Sequence, residues 1–474
     1  MPVLKSISTF LNPIPTFLYD KLNSLIQDDN LASNKDKFVK NASNFSRRSP
    51  LSLRVCVHAM FCFDNHQLFT ALRNALPASM KEDMPTVSAF TQQRSKLKLE
   101  GFKYIFEEMV KAEIKRINRK LLRNRFILVC ADGSDFPVPT DTLADPNDPS
   151  LSEAERKKAG EELKKRRDAQ RAVQRRKLHV NALLDIRNHM YLAADMRPKL
   201  ACNERTALLE ILDAYKSSNP NTVPPNMIVM CDRGYASYHL FTSLALRGFK
   251  FIIRVKAPSS NGILKNSKYQ VESDCVLDKT FTMAVNLDEN GIYDVAAKEI
   301  EGVTRHVKVR VVSKKLKDGT YGYWLTNLWA PIQGRHLSDR FSRKDIISLY
   351  AEHWEIETSF RYLKYGLGGI CFHSRKLEIQ KMEVYIAMTL LNCIMAIVSH
   401  TRVTNRRKDN KYRYKINNTA AVEICMDFLL KGLYTPQTLR RELLKHLVKY
   451  EPGRWFPRNV KHDDKTVKFL YRSR

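Results

Sequence analysis

The sequence predicts a mixed α/β layer fold, with a helical region before it and a β-rich segment within it. Two short apolar segments, "FILVCADG" from Phe126 and "MIVMCDRGY" from Met227, each end in an Asp with a Gly within two residues. Continuous runs of β-forming residues are typical of strands buried on both faces of a sheet. The segments around them follow the order strand, strand, strand, helix, strand, helix, strand, which predicts a mixed sheet with helices on both faces.

Composition narrows the class of partner. The 474 residues are 43% hydrophobic, enough for a substantial core, and carry a formal net charge of +30. Such an excess indicates a polyanionic partner, either nucleic acid or an anionic membrane. The most apolar run, 384–398, is shorter than the roughly 20 residues that cross a bilayer. It therefore predicts a buried helix, and we expect no membrane partner.

The N-terminal sequence and the cysteines predict a cytosolic protein. Pro13 and Pro15 interrupt the only apolar stretch near the N-terminus, so we expect no signal peptide. The nine cysteines are scattered and form no CxxC pair. This pattern favours reduced thiols in the core over disulfides or a zinc site.

Residues 1–120 carry apolar and basic positions at helical spacing, which predicts a helical N-terminal DNA-binding module. Within it, Thr86 can begin a short helix after Pro85. That helix would display polar side chains suited to base edges and phosphates: Ser88, Gln92, Gln93, Arg94 and Lys96. A solvated surface helix is an equal alternative, because charged runs are common on surfaces.

The remaining chain divides by its patterns. Period-two segments separated by Gly, Asp and Asn predict a β-rich insertion. The polar segment 156–177 carries 11 basic residues, so it is either a solvated arm or a nucleic-acid contact. We expect the first part of the α/β core at 121–256, the β-rich insertion at 257–330, further core helices at 331–400 and a basic C-terminal region at 401–474.

Asp132 and Asp232 are the first candidate site residues. An Asp at the end of one strand is usually only a turn former. Two matching carboxylates shift the interpretation, because parallel strands deliver their C-terminal ends to the same rim of a sheet. The pair therefore predicts metal binding at that rim.

A third carboxylate lies in "SLYAEHWEIETSFRYLKYGLGG", which begins at Ser348. Ser342 and Asp345 resemble a capping box, and Tyr365–Gly369 is a stop signal, so we predict one continuous helix of about 23 residues. At about 100° per residue, one stripe of this helix carries Tyr350, His353, Glu357 and Lys364. An adjacent apolar arc would dock on the sheet: Leu349, Ile356, Phe360 and Leu363. Glu357 could then join Asp132 and Asp232.

These motifs together resemble the DDE transposases of bacterial insertion sequences. The resemblance rests on "ADGSD", on "CDRGY", on the β-rich insertion and on the spacing of Tyr350, His353, Glu357 and Lys364. More narrowly, the chain resembles the insertion sequence four branch, whose signature has Tyr, Arg, Glu and Lys at these spacings. "NERTALL" and "WLTNL" also resemble that branch. The signature Arg is His353 here, so a titratable side chain replaces a permanently charged phosphate binder.

The resemblance implies an RNase H-like catalytic core and cut-and-paste transposition of DNA. Asp132, Asp232 and Glu357 would be catalytic and would hold metal, with two Mg²⁺ or Mn²⁺ ions for phosphodiester displacement. Phosphates of the transposon end would be bound by the other signature residues: Tyr350, His353 and Lys364. Arg233 is a further phosphate candidate, or a structural ion-pair partner.

The implied partners are double-stranded DNA of the terminal inverted repeats and of the target, and we expect a homodimer in the DNA complex. The implied location is the bacterial cytoplasm, associated with the nucleoid. Two alternatives stay open at this point. One is a metal-dependent nuclease that only hydrolyses DNA, and the other is a non-catalytic DNA-binding protein derived from a transposase.

Overall fold

A nine-stranded sheet forms the centre of the protein. The computed structural model describes residues 13–62, 68–76, 84–117, 119–138, 152–154, 156–158, 160–161, 177–218, 226–265, 271–332, 339–366, 372–403 and 413–450. The strands of the sheet are β1 (Ile127–Pro137), β2 (Lys177–Asp185), β3 (Met190–Pro198), β4 (Met227–Cys231), β5 (Lys250–Val255), β6 (Asp278–Leu287), β7 (Tyr293–Val295), β8 (Thr304–Lys315) and β9 (Tyr321–Thr326). Their spatial order is β3-β2-β1-β4-β5-β9-β8-β6-β7.

The two Asp-bearing segments are neighbouring parallel strands, as their apolar runs predict. β1 pairs with β4 in parallel, and Ala131 lies opposite Cys231 in the register. All five residues of β4 are buried. β4 also pairs in parallel with β5, while β2 and β3 form an antiparallel hairpin on the other side of β1. The expectation that Asp132 ends its strand is wrong, because β1 continues beside β2 to Pro137. Asp132 and Asp232 nevertheless lie at one rim, where the β1–β4 pairing stops.

The strands of the β-rich segment continue the same sheet. β9 pairs antiparallel with β5, and β8 and β6 follow it outward. Arg310 of β8 is fully buried. Its guanidinium donates to both carboxylate oxygens of Asp278 at 2.7 Å and to the carbonyl oxygens of Leu328 and Phe341 at 3.1 and 2.6 Å. This contact ties β8 to the segment that precedes the next helix.

The N-terminal region is helical, as predicted, throughout the part that the structure describes. Its helices are α1 (Ile14–Ile26), α2 (Asp28–Ser33), α3 (Lys35–Phe38), α4 (Leu53–Phe61), α5 (Leu68–Ala75), α6 (Val87–Arg94) and α7 (Leu99–Arg116). Thr86 caps α6, since its hydroxyl accepts from the Ala89 N–H at 3.1 Å. Ser88 and Gln92 are exposed on α6. The prediction for Arg94 is wrong, because this side chain is buried and donates to the His373 carbonyl at 2.6 Å.

The later helices cover the sheet and join it to the N-terminal region. They are α8 (Glu204–Ser218), α9 (Tyr238–Leu246), α10 (Arg343–Ala351), α11 (Trp354–Arg361), α12 (Leu377–His400), α13 (Asn418–Lys431) and α14 (Pro436–Lys445). A separate two-stranded sheet contains β10 (Arg413–Ile416) and β11 (Leu447–Tyr450).

In β1, adjacent side chains point to opposite faces of the sheet. Asp135 contacts His179 at 2.6 Å on the side of α8, while Lys364, beyond α11, lies over the Phe136 ring at 4.9 Å.

α12 contains the most apolar run, and it is buried as predicted. It is the one described helix long and apolar enough to cross a membrane, but 83% of its apolar window is inside the protein. The Asn392 side chain bonds the backbone of Tyr191 twice, accepting from its N–H at 2.8 Å and donating to its carbonyl at 2.9 Å. This amide completes the edge strand β3 as a neighbouring strand would.

The prediction of one continuous helix from Ser342 is wrong. The predicted capping box is present, but α10 ends at Ala351 and α11 begins at Trp354. The N–H groups of Glu352 and His353 bond three residues back instead of four, which tightens the turn. The β2–β3 turn holds both sides of the break through Arg187 with Glu352 (2.7 Å) and His189 with Glu355 (3.8 Å). After α11 the chain continues as a π-helical turn, Tyr362–Gly366.

Two further predictions meet the structure only in part. The eight described cysteines are free, and six of them are buried, which confirms the expected core thiols for that set. The basic segment 156–177 lies mostly outside the described residues, as does the chain beyond 450.

Candidate active site

Asp132 and Asp232 lie side by side at the rim of the parallel centre. Asp132 belongs to β1, and Asp232 directly follows β4, whose last residue is in register with Ala131. The Asp132 Oδ1 accepts from the Gly133 N–H at 2.8 Å, and the Asp232 Oδ1 accepts from the Gly234 N–H at 2.8 Å. Asp232 thereby caps a short 3₁₀ turn, Arg233–Tyr235. Local backbone bonds thus hold both carboxylates.

Glu357 approaches this rim from α11. The helix docks through Ile356 and Phe360, which are buried, and the Phe360 ring lies 6.0 Å from the ring of Tyr191 in β3. The apolar arc predicted from the sequence is buried at all of its positions: Leu349, Ile356, Phe360 and Leu363. Docking of this arc leaves Glu357 on the side of the carboxylates of β1 and β4.

Electrostatics shows that the three carboxylates interact. Burial raises the pKa of Asp132 to about 7, the Gly133 N–H opposes this shift, and repulsion from Asp232 and Glu357 adds to it. Glu204 of α8 adds a further small repulsion. At neutral pH the Asp132 carboxyl is therefore close to half protonated in the metal-free protein, and a nearby cation would favour its ionised form.

The residues fit a hard divalent cation by chemistry. All three side chains offer carboxylate oxygens, the donors that Mg²⁺ and Mn²⁺ prefer. Across the described ranges, however, no group of three or more His, Cys, Asp or Glu side chains is already arranged to hold a metal ion. Metal binding here would require side-chain rotation toward a shared ion.

A cavity of about 290 Å³ opens beside the carboxylates. Its lining is Asp232, Arg233, Arg254, Tyr350, Ala351, His353, Trp354 and Glu357. A second cavity of about 400 Å³ shares Arg233 and Arg254 with the first and adds Lys256. Two carboxylates and a group of cations therefore face the same space, an arrangement suited to metal ions on one side and phosphates on the other.

Tyr350 and His353 form one stacked unit at the α10–α11 break. Their rings lie 5.3 Å apart at 15°, and the Trp324 ring meets Tyr350 edge-on at 5.8 Å. Burial raises the pKa of Tyr350, so its hydroxyl remains a donor. Burial also lowers the pKa of His353, attraction to Asp232 opposes this, and Arg254 lowers it further. In the free protein His353 is thus neutral at physiological pH, and its Nε2 is buried without a hydrogen-bond partner.

Lys364 does not share this cavity, so the predicted single polar stripe is wrong. It lies in the π-helical turn with its Nζ 4.9 Å over the Phe136 ring of β1. Burial lowers its pKa, while the charges of Asp135 and Asp132 oppose that shift. Lys364 is therefore on the Asp132 side of the site, whereas Tyr350 and His353 are on the Asp232 side. The break after α10 and the π-helical turn rotate these positions away from an ideal helix.

Sequence reasoning missed two residues of the site. Arg254 is in "KFIIRVK", where it is the only charged residue between two apolar flanks of β5. A cation in the middle of a buried strand was the available signal, because such a charge needs a specific partner. Trp354 lines the cavity and is 49% exposed. Nothing in the periodicity of its helix distinguished it from the apolar arc.

One comparison with known proteins identifies the family of this chain. The sequence matches the transposase DDE domain over residues 124–393, more than half of the chain and a range that contains all three carboxylates. No protein of curated function matches it. Among solved structures, the piggyBac transposase synaptic complex with hairpin DNA is similar at 12% identity with a TM-score of 0.40, covering 96% of this chain and 86% of that chain. By its sequence match, the chain belongs to the transposase DDE domain family.

Proposed function

We propose that this DDE transposase moves an insertion sequence by cut-and-paste, cleaving at terminal inverted repeats and joining the freed ends to target DNA. The observation that carries the proposal is the placement of Asp132 and Asp232 directly after the last residue pair of two neighbouring parallel strands, Ala131 and Cys231. Glu357 interacts with that pair from α11 and lines a cavity that also contains two arginines. The resemblance of its signature spacing assigns the chain to the insertion sequence four branch.

The strand order supports an RNase H-like core. The segment β3-β2-β1-β4-β5 has an antiparallel hairpin beside three parallel strands, with carboxylates where the parallel pairing of the first two strands stops. In open α/β sheets the carboxyl ends of the strands form the usual binding edge. This edge is where the proposed chemistry takes place.

Asp132, Asp232 and Glu357 would hold Mg²⁺ or Mn²⁺, and we propose two ions. When bound, such a pair lowers the pKa of an attacking water or 3′-OH and stabilises the leaving oxygen. The protein contributes the fixed backbone of β1 and β4, which orients two of the ligands, and a docked helix that brings the third. Because Asp132 must lose its proton to bind a cation, metal binding would release protons.

Phosphates of the transposon end would occupy the cavity beside the carboxylates. Arg233 and Arg254 offer permanent positive charge there, and Tyr350 offers a hydroxyl donor. The unpartnered Nε2 of His353 would gain a partner on DNA binding. Lys364 would contact the strand on the Asp132 side. Arg254 thereby supplies the guanidinium that the signature helix lacks at His353.

The rest of the molecule is compatible with a DNA complex. The net charge of +30 provides long-range attraction to DNA. The exposed Ser88 and Gln92 of α6 are suited to contact DNA outside the catalytic site. We propose two protomers in the complex, one for each transposon end, acting in the bacterial cytoplasm at the nucleoid.

The test is a strand-transfer assay. Labelled duplexes from the DNA on either side of the gene would be incubated with the protein, Mg²⁺ and a supercoiled target. We expect a nick at the junction of a short inverted repeat, followed by covalent joining of the 3′ end to the target. Nicked duplex without joined product would indicate a nuclease that only hydrolyses. Specific binding without nicking in either Mg²⁺ or Mn²⁺ would indicate a non-catalytic DNA-binding protein.

His353 makes end binding depend on pH. Burial in the free protein lowers its pKa, whereas a bound phosphate favours the charged ring, so binding takes up a proton. The affinity for transposon ends should rise as the pH falls through the pKa of His353 in the DNA complex. It should level off below the pKa of His353 in the free protein. Each unit of difference between these two pKa values contributes about tenfold in affinity. His353→Arg should bind ends more tightly at pH 8 and lose this part of the pH dependence.

The measurement is end binding between about pH 6 and pH 8.5, the range around the ordinary histidine pKa. The salt is fixed and divalent metal is absent, so no proton release is linked to metal binding. The titration of Asp132 near pH 7 is common to the wild type and His353→Arg. Parallel profiles for the wild type and His353→Arg would show that His353 does not contact the phosphate.

A further inference from the structure

A charged cluster lies behind β1, on the face of the sheet that α8 covers. His179 of β2 is its centre and is 1% exposed. Its Nδ1 lies 2.6 Å from the Asp135 Oδ1, and its Nε2 lies 3.1 Å from the Glu204 Oε1 at the start of α8. Lys199 completes the cluster, with its Nζ 3.3 Å from each of these two oxygens. The ring thus lies between two carboxylates, hydrogen-bonded to Asp135 through Nδ1 and at ion-pair distance from Glu204 through Nε2.

The charges of the cluster are complementary. Burial lowers the pKa of His179, but hydrogen bonding to Asp135 and Glu204 outweighs it and the pKa is raised. Burial likewise raises the pKa of Asp135, but His179 and Lys199 bring it down to about 2. A charged ring is a donor at both nitrogens. Lys199 pairs with both carboxylates and also lies 3.1 Å from the His179 Nδ1, where its charge opposes protonation of the ring and lowers the His179 pKa.

The ring of His179 occupies the space where a side chain at position 133 would be. A Cβ added to Gly133 would lie 2.3 Å from the His179 Nε2 and 2.7 Å from its Cε1. The Gly133 N–H in turn donates to the Asp132 Oδ1 at 2.8 Å. The His179 ring therefore packs directly against the residue whose backbone orients the first carboxylate of the site.

We propose that His179, held between Asp135 and Glu204, is a positioning residue that fixes Gly133 and thereby orients the Asp132 carboxylate toward metal. The cluster acts from the opposite face of the sheet and contacts neither DNA nor metal itself. This inference rests on the proposed role of Asp132 as a metal ligand. Residues that orient a metal ligand in this way typically contribute about 10- to 100-fold in metal affinity.

Calorimetric titration of the DNA-free protein with Mn²⁺ tests the proposal without relying on activity. Glu204→Gln removes one charge at the start of α8 and keeps the shape of the side chain. We expect it to weaken Mn²⁺ binding by about tenfold. His179→Gln should have a similar or larger effect. End binding in the absence of metal should stay unchanged in both variants, because the cluster lies on the face away from the DNA cavity.

A matched control lies on the same helix. Asp213→Asn removes the contact between Asp213 and Arg247 (2.9 Å) near the other end of α8. It alters one carboxylate of the same helix without touching His179, so its Mn²⁺ affinity should equal that of the wild type. Thermal unfolding of each metal-free variant establishes that the fold persists. If Asp213→Asn loses as much Mn²⁺ affinity as Glu204→Gln, the stability of α8, and not the positioning of Asp132, is responsible for the weaker binding.

A double-mutant cycle tests the contact between His179 and Gly133. Gly133→Ala alone should weaken Mn²⁺ binding, because its methyl group displaces the ring or the strand. In His179→Ala the space is free, so adding Gly133→Ala should cost little more. If the losses of Mn²⁺ affinity in the two single variants add in the double variant, the contact is contradicted. The effects of substitutions at independent sites add, whereas those at contacting residues do not.

Two outcomes separate this inference from the proposed function. If Asp232→Asn loses Mn²⁺ binding while Glu204→Gln and His179→Gln bind like the wild type, the positioning role is wrong and the metal site stands. If Asp232→Asn itself binds Mn²⁺ like the wild type, the proposed metal site fails and the inference fails with it.

Discussion

Asp232→Asn should abolish metal-dependent cleavage of transposon ends while leaving end binding largely intact. The change keeps the size of the side chain and removes its charge. Metal-assisted stabilisation of a phosphodiester transition state contributes several kcal/mol. Since each 1.36 kcal/mol is tenfold in rate, we expect a loss of about 10³-fold or more. Asp132→Asn and Glu357→Gln should behave alike, because the three carboxylates act as one unit.

Cleavage would be followed in Mg²⁺ and in Mn²⁺ on labelled ends, with end binding measured separately without metal. The control is Asp135→Asn, a carboxylate three positions along the same strand that pairs with His179 and lies outside the trio. It should weaken metal binding through the positioning cluster and retain measurable cleavage at saturating Mn²⁺. Retained nicking by Asp232→Asn in Mg²⁺ would remove this residue from the proposed catalytic group.

The same substitution has an electrostatic consequence that can be measured in the free protein. Asp232 is one of the two trio charges that hold the pKa of Asp132 up near 7. Removing it should lower the Asp132 pKa, although burial remains the larger cause. A carboxyl titration of the metal-free variant by NMR would show the shift.

The sequence predicted the strands better than the helices, for a physical reason. β4 and the first half of β1 are continuous buried apolar runs, each followed at once by an Asp, so local composition defines them. The continuation of β1 to Pro137 beside β2 was not predicted, because it depends on pairing with a distant strand. The helix carrying Glu357 was predicted as continuous because a periodic pattern contains no sign of a break. The break depends on Arg187 and His189, which reach it from a hairpin more than 150 positions away in the sequence.

The candidate site shows the same division. Motif spacing identified the carboxylates and Tyr350, because these residue types recur at strand ends and on one helical face. Arg254 and the cluster around His179 were missed, because they reach the site only through sheet register: Asp135 opposite His179, and Gly133 opposite Asn181. The burial of Arg94 likewise depends on a carbonyl at residue 373. Local periodicity does not contain such long-range partners.

Arg310→Leu should destabilise the protein by about 2 to 6 kcal/mol, because it leaves two buried carbonyl acceptors without a donor. Arg310 is fully buried, and without it the carbonyls of Leu328 and Phe341 lose their donor. Each buried acceptor left unpaired costs about 1 to 3 kcal/mol. Urea unfolding would measure the change. Arg305→Leu, the same substitution at an exposed position of β8, should change stability by less than about 0.5 kcal/mol.

The Arg310→Leu substitution should also affect the active site. Phe341 directly precedes Ser342, whose hydroxyl caps α10, and α10 carries Tyr350 to the cavity. Releasing the Phe341 carbonyl frees the start of that helix, so end binding should weaken even where Arg310→Leu remains folded. Arg310→Lys should recover part of the stability, since one donor can still reach a carbonyl, but not the two-pronged contact with Asp278. Equal stability of Arg310→Leu and Arg305→Leu would show that the buried Arg310 side chain does not hold the β-rich strands to the catalytic helices.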